Sequence, residues 1–69
     1  MADLAKTLAK RLRDLRGDQT QREFAQRLGI DQATLNRVEQ GRENVTLATL
    51  QKICNRLKCK IGWLFGEEP

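Results

Sequence analysis

An all-α fold, a compact bundle of five short helices, is predicted by three features of the sequence. Apolar residues recur every three to four positions along the chain, and no segment sustains period-two alternation. Good helix-start residues, Thr20, Asp31 and Thr46, stand immediately before such stretches. The single proline is Pro69, so none interrupts a helix in the body.

The first helix is expected over residues 3–16. Leu4, Leu8, Leu12 and Leu15 fall within about 80° of a helical wheel, with Lys6, Lys10 and Arg13 on the far side. Gly17-Asp18 is a turn pair that closes it. Thr20-Gln21-Arg22-Glu23 then reads as a capping box, in which the Thr20 hydroxyl accepts from the Glu23 N–H and the Glu23 carboxylate reaches back. Phe24, Ala25 and Leu28 make the buried stripe of a helix of about two turns. Gly29 stands where a chain commonly leaves a helix through the left-handed region, and Ile30 follows as a buried link. Asp31 caps a third helix over 32–40, with Leu35 and Val38 facing inward and Gly41 as its stop. Thr46 caps a fourth, in which Leu47, Leu50, Ile53, Cys54 and Leu57 span about 120°. Ile61-Gly62-Trp63-Leu64-Phe65 is a short fifth segment that completes the core.

At 69 residues the chain suits one small core, with residues 1–66 as the domain and 67–69 as a tail. Thirteen Lys and Arg against nine acids, with no His, give a formal charge of +4. Such an excess on so small a body favours a polyanionic partner. With three aromatics, Phe24, Trp63 and Phe65, a single-strand binder that stacks bases is not expected. No apolar run can span a bilayer, and MADLAKTLAKRLRDLRGD has no signal-peptide core, so a cytoplasmic protein without a membrane partner is expected. Cys54 and Cys59 are too few for a disulfide framework, and a spacing of five near a helix end sets them poorly for bridging each other. A zinc site lacks its ligands, no nucleophile has a base, and so no metal, cofactor or catalytic residue is expected.

Within residues 21–40, Ala25 is fifth, Gly29 ninth, Ile30 tenth, Leu35 fifteenth and Val38 eighteenth. A small residue lets a following helix cross closely, a glycine serves a tight turn, and Leu35 and Val38 anchor that helix with its other face free. The spacing resembles the helix-turn-helix motif. Together with Thr-Gln-Arg-Glu-Phe-Ala (20–25), Arg-Val-Glu-Gln-Gly-Arg (37–42) and Gly-Trp-Leu-Phe (62–65), it makes residues 8–66 similar to the lambda-repressor and Cro-like family, also called the XRE family. The chain departs from the family form in a longer loop at Arg16–Gln19, in Lys58 where a glycine is usual, and in Gly62 where an acid is common.

The resemblance implies that the third helix enters the major groove of double-stranded DNA. Gln32, Ala33, Asn36 and Arg37 are then the candidate base readers: glutamine suits adenine, arginine suits guanine, and an alanine methyl can pack on thymine. Gln21, Thr34, Gln40, Arg42 and Asn44 are candidates for the phosphates or for further contacts. Thr34 serves equally well to satisfy backbone at the helix start. By the same resemblance Glu39 pairs with Arg13 of the first helix, and Cys54 and Cys59 are small core residues.

The expected function is a sequence-specific transcriptional regulator, a repressor of bacterial or phage type, binding a pseudo-palindrome as a homodimer. A domain this small reads few base pairs, and dimerisation through Ile61 and Phe65 would double that number. No small-molecule ligand is expected. An antitoxin-like protein-interaction module and the DNA-binding head of a longer regulator are the alternatives.

Overall fold

Short-range capping sets where each helix begins. The computed structural model describes residues 3–41 and 45–66. Five helices follow in order, α1 (Leu4–Arg16), α2 (Gln21–Leu28), α3 (Gln32–Glu39), α4 (Leu47–Leu57) and α5 (Ile61–Leu64). Side-chain oxygens of Asp3, Thr20, Asp31 and Thr46 accept the backbone N–H three residues on, those of Lys6, Glu23, Thr34 and Thr49. Each satisfies one of the donors a helix start leaves over. At α2 the box is complete, because the Thr20 N–H also donates to Glu23 Oε1 at 3.0 Å. The described residues form the expected all-helical bundle, with no strand among them.

Between α2 and α3 the chain turns in three residues. Gly29 lies in the left-handed region at φ +74°, and the N–H groups of Gly29 and Ile30 close back onto α2 carbonyls. Arg56 of α4 lies over this turn, donating to the Arg27 carbonyl at 3.4 Å. A guanidinium at the carbonyl end of a helix is favourably placed against the helix dipole.

Leu8, Leu12, Phe24, Ala25, Leu28, Leu35, Val38, Leu50, Ile53, Cys54 and Leu64 form one contiguous core. Of the residues expected to face inward, Leu15 and Ile30 are half-buried against this core, and three on α1 and α4 also fall outside it. Leu4 is 56% exposed, because the buried arc of α1 runs from Leu8 through Leu12 to Ala9 and leaves Leu4 at its edge. That arc is drawn toward alanine because the chain packs closely there: a β-carbon on Gly41 would lie 4.0 Å from that of Ala9. Leu47, 78% exposed, sits at both the first position of α4 and the edge of its apolar arc. Leu57, the last residue of α4, is half-buried.

The end of α4 carries a second left-handed turn, and here the residue is not glycine. Lys58 has φ +55° and ψ +46°, and the Cys59 N–H closes onto the Cys54 carbonyl at 3.1 Å. On a continuous helix a spacing of five separates two side chains by about 140°. The chain instead reverses at Lys58, and Cys59 packs half-buried against the core that contains Cys54, with both thiols free. Burial, and then the neighbouring Cys54 thiol, push the Cys59 thiol up from its ordinary value. Beyond this turn, α5 is clamped to α1 by Leu64 in the core and by the Arg11 guanidinium 4.3 Å from the centre of the Trp63 ring.

Candidate nucleic-acid interface

Helix α3 is held by Leu35, Val38 and Glu39, all buried. The opposite arc, about 140° wide, carries Gln32, Ala33, Asn36, Arg37 and Gln40, and every one of these is exposed. The four candidate base readers therefore share one open face. Thr34 lies half-buried at its edge, with its N–H given to the Asp31 carboxylate at 2.7 Å. Gln40 caps α3, just past its last turn, and its amide donates to Asn36 Oδ1 at 2.6 Å. This pair holds the two amides in register before any ligand arrives. Among the described residues no hydrogen bond or ion pair engages the Arg37 guanidinium. Arg42 and Asn44 lie outside the described residues.

What sets the position of α3 against the start of α2 is the buried carboxylate of Glu39, 4% exposed. Resemblance pairs it with Arg13, and the structure corrects the partner. Arg16 spans the carboxylate, with Nε 3.1 Å from Oε1 and 2.9 Å from Oε2. Arg13 instead donates to the main-chain carbonyl of Glu39. The two arginines are one turn apart on the same side of α1, so the approach of α1 to α3 decides which one meets the carboxylate and which the backbone. Arg16 also donates to the Gln19 carbonyl at 3.0 Å, tying down the long loop before α2.

Gln21, a candidate phosphate contact, belongs to the same cluster. Its side-chain amide donates to Glu39 Oε1 at 3.2 Å, which leaves one amide hydrogen and the N–H groups at the start of α2 for another partner. The cluster thus joins α1, the loop and the first residue of α2 to the last turn of α3. No buried side-chain polar atom among the described residues lacks a partner, as a buried ionic network requires.

Two carboxylates near this face are held below their ordinary range. Asp31 is lowered first by the Thr34 N–H, and further by the charges of Arg37 and Lys52. Glu23 is lowered by the Thr20 N–H. Lys52 therefore brings positive charge from α4 toward the start of α3. That was not legible in the sequence, because nothing local says where α4 lies against the motif. At the other end, Ile61 is 48% exposed and Phe65 is half-buried against the core.

An exposed polar arc on the second helix of a short-turn helix pair, on a chain with net positive charge, defines a DNA-binding helix-turn-helix protein. A family model described as helix-turn-helix matches residues 10–64, and the chain belongs to this family, the XRE or lambda-repressor-like helix-turn-helix proteins. Comparison with curated proteins and with solved structures gave no match. Among the described residues no helix is long and apolar enough to cross a membrane.

Proposed function

We propose that this protein is a sequence-specific transcriptional repressor that binds a pseudo-palindromic operator as a homodimer, with α3 in the major groove of each half-site. The observation that carries the reading is the open arc of Gln32, Ala33, Asn36 and Arg37, held outward by a core on its opposite side. These four read bases. Gln21, Thr34, Gln40, Arg42 and Asn44 grip the backbone and set the register. Repression follows from occupancy of a site that polymerase would otherwise use, and the site of action is the cytoplasm.

The dimer contact is assigned to Ile61 and Phe65. The exposure of Ile61 supports this, because an apolar side chain at the end of a small core gains from a two-fold partner. The Glu39 cluster lets Gln21 and α3 meet DNA as one rigid unit.

Selection of duplexes from a random pool, followed by titration at several salt concentrations, tests the reading. Inverted repeats should be enriched, with two chains per duplex. The logarithm of affinity should fall with the logarithm of salt at a slope of about −0.9 per phosphate neutralised. Affinity that ignores salt would remove DNA as the partner, and one chain per selected duplex would remove the dimer.

A further inference from the structure

Asn36 and Gln40 stand one turn apart on α3, both exposed and about 40° from each other around the helix. Their side chains are joined, with the Gln40 amide donating to Asn36 Oδ1 at 2.6 Å. An unattached asparagine offers an acceptor and two donors, and it can turn either end of its amide outward. Here the carbonyl oxygen is held toward Gln40. The amide is planar, with oxygen and nitrogen on opposite sides of Cγ, so the NH2 group turns away from Gln40. Among the described residues that group has no hydrogen-bond partner, and both of its hydrogens stay available.

What remains free on the pair decides what it can read. In the major groove guanine presents two neighbouring acceptors, N7 and O6, whereas adenine sets its N6 donor beside an acceptor. Pairing of asparagine with adenine needs Oδ1 to accept from N6, and that oxygen already accepts from Gln40. Two outward hydrogens match guanine instead. Gln40, just past the last turn of α3, keeps one amide hydrogen for the DNA backbone. We propose that Gln40 is a positioning residue that sets specificity: by holding the Asn36 oxygen, it makes Asn36 a donor-only reader that selects guanine over adenine. This rests on α3 lying in the major groove. An exposed pair at this spacing adds little to helix stability, so its effect belongs in base preference and not in folding.

The test is selection from a random duplex pool with the 69-residue chain, then titration of the selected duplex and its single-base alternatives. Asn36→Ala identifies the base pair concerned, as the position where preference is lost. There the parent should favour guanine over adenine by about tenfold. Gln40→Lys still donates to Oδ1 and should keep guanine first. Gln40→Glu offers only acceptors, so Asn36 should give its NH2 to the introduced carboxylate and turn Oδ1 outward. Preference should then pass to adenine or cytosine, whose N6 or N4 groups donate. The altered charges act on every duplex alike, so the order of the four bases is the readout. Both positions are exposed, and far-ultraviolet circular dichroism checks that each variant is folded. Adenine favoured by the parent, an order of bases that Gln40→Glu leaves unchanged, or no position altered by Asn36→Ala would each overturn the proposal while leaving the DNA-binding reading in place. A parent that enriches no duplex would overturn that reading and the proposal together.

Discussion

Exchanging the arginine partners of Glu39 separates two descriptions of the α1–α3 contact. Removing one member of a fully buried ion pair costs about 3–5 kcal/mol. Here the Arg16 side chain keeps 26% of its exposure and that of Glu39 only 3%. Water can reach the vacated position in part, so Arg16→Ala should cost about 2–3 kcal/mol. Arg13 is exposed and supplies one bond to a main-chain carbonyl, and Arg13→Ala should cost about 1 kcal/mol. At about 2.1 cal/mol/K of unfolding entropy per residue, a chain of 69 residues loses about 14–20 °C in the first case and about 7 °C in the second. The sharper measurement is a double-mutant cycle with Glu39→Gln, read by urea unfolding under circular dichroism. Arg16 and Glu39 should couple by about 2 kcal/mol, because their contact is between side chains. Arg13 and Glu39 should couple near zero, because the carbonyl survives the substitution. A larger coupling for Arg13 would refute the assignment.

Lys58→Gly should stabilise the protein by about 0.5–1 kcal/mol, seen as a rise of a few degrees in Tm, because relief of the left-handed cost exceeds the added freedom of the unfolded chain. A fall in Tm would mean that the turn at φ +55° is wrongly placed. Acid should weaken the starts of α2 and α3. Glu23 and Asp31 have folded values below their unfolded ones, so the stabilisation from their caps is complete above the ordinary carboxylate range and is lost as pH falls through the lowered values. Comparing urea midpoints at neutral and acid pH, the Glu23→Gln, Asp31→Asn double variant should show a flatter dependence than the parent; an equal slope would place the sensitivity elsewhere.

What the sequence reveals here is mostly local. The caps at Thr20, Asp31 and Thr46, and the turn at Gly29, depend on atoms within a few residues, and all four stand as read. The open arc of α3 was legible too, because Leu35 and Val38 leave it only one inward side. The unread features depend on how helices meet. Leu4 and Leu47 belong to the apolar pattern but lie at the edges of what their neighbours cover. Arg13 and Arg16 lie about 60° apart on a wheel, both near the side of α1 that meets α3, and the crossing of the two helices sets which one reaches the carboxylate. The reversal after α4 depends on a left-handed lysine, Lys58, which no local preference announces.

The central claim is that α3 reads base edges, and Arg37 tests it most directly. Its guanidinium stands on the open arc one turn after Ala33, and two parallel donors suit guanine N7 and O6. Affinity of the parent and of Arg37→Ala should be measured for a selected duplex and for random duplex DNA at one salt concentration. On the selected duplex the substitution should cost about 1–3 kcal/mol per half-site and relax preference at one base position. On random DNA it should cost far less, the loss of one positive charge. Equal losses on both would place Arg37 on the phosphates and contradict its role as a base reader.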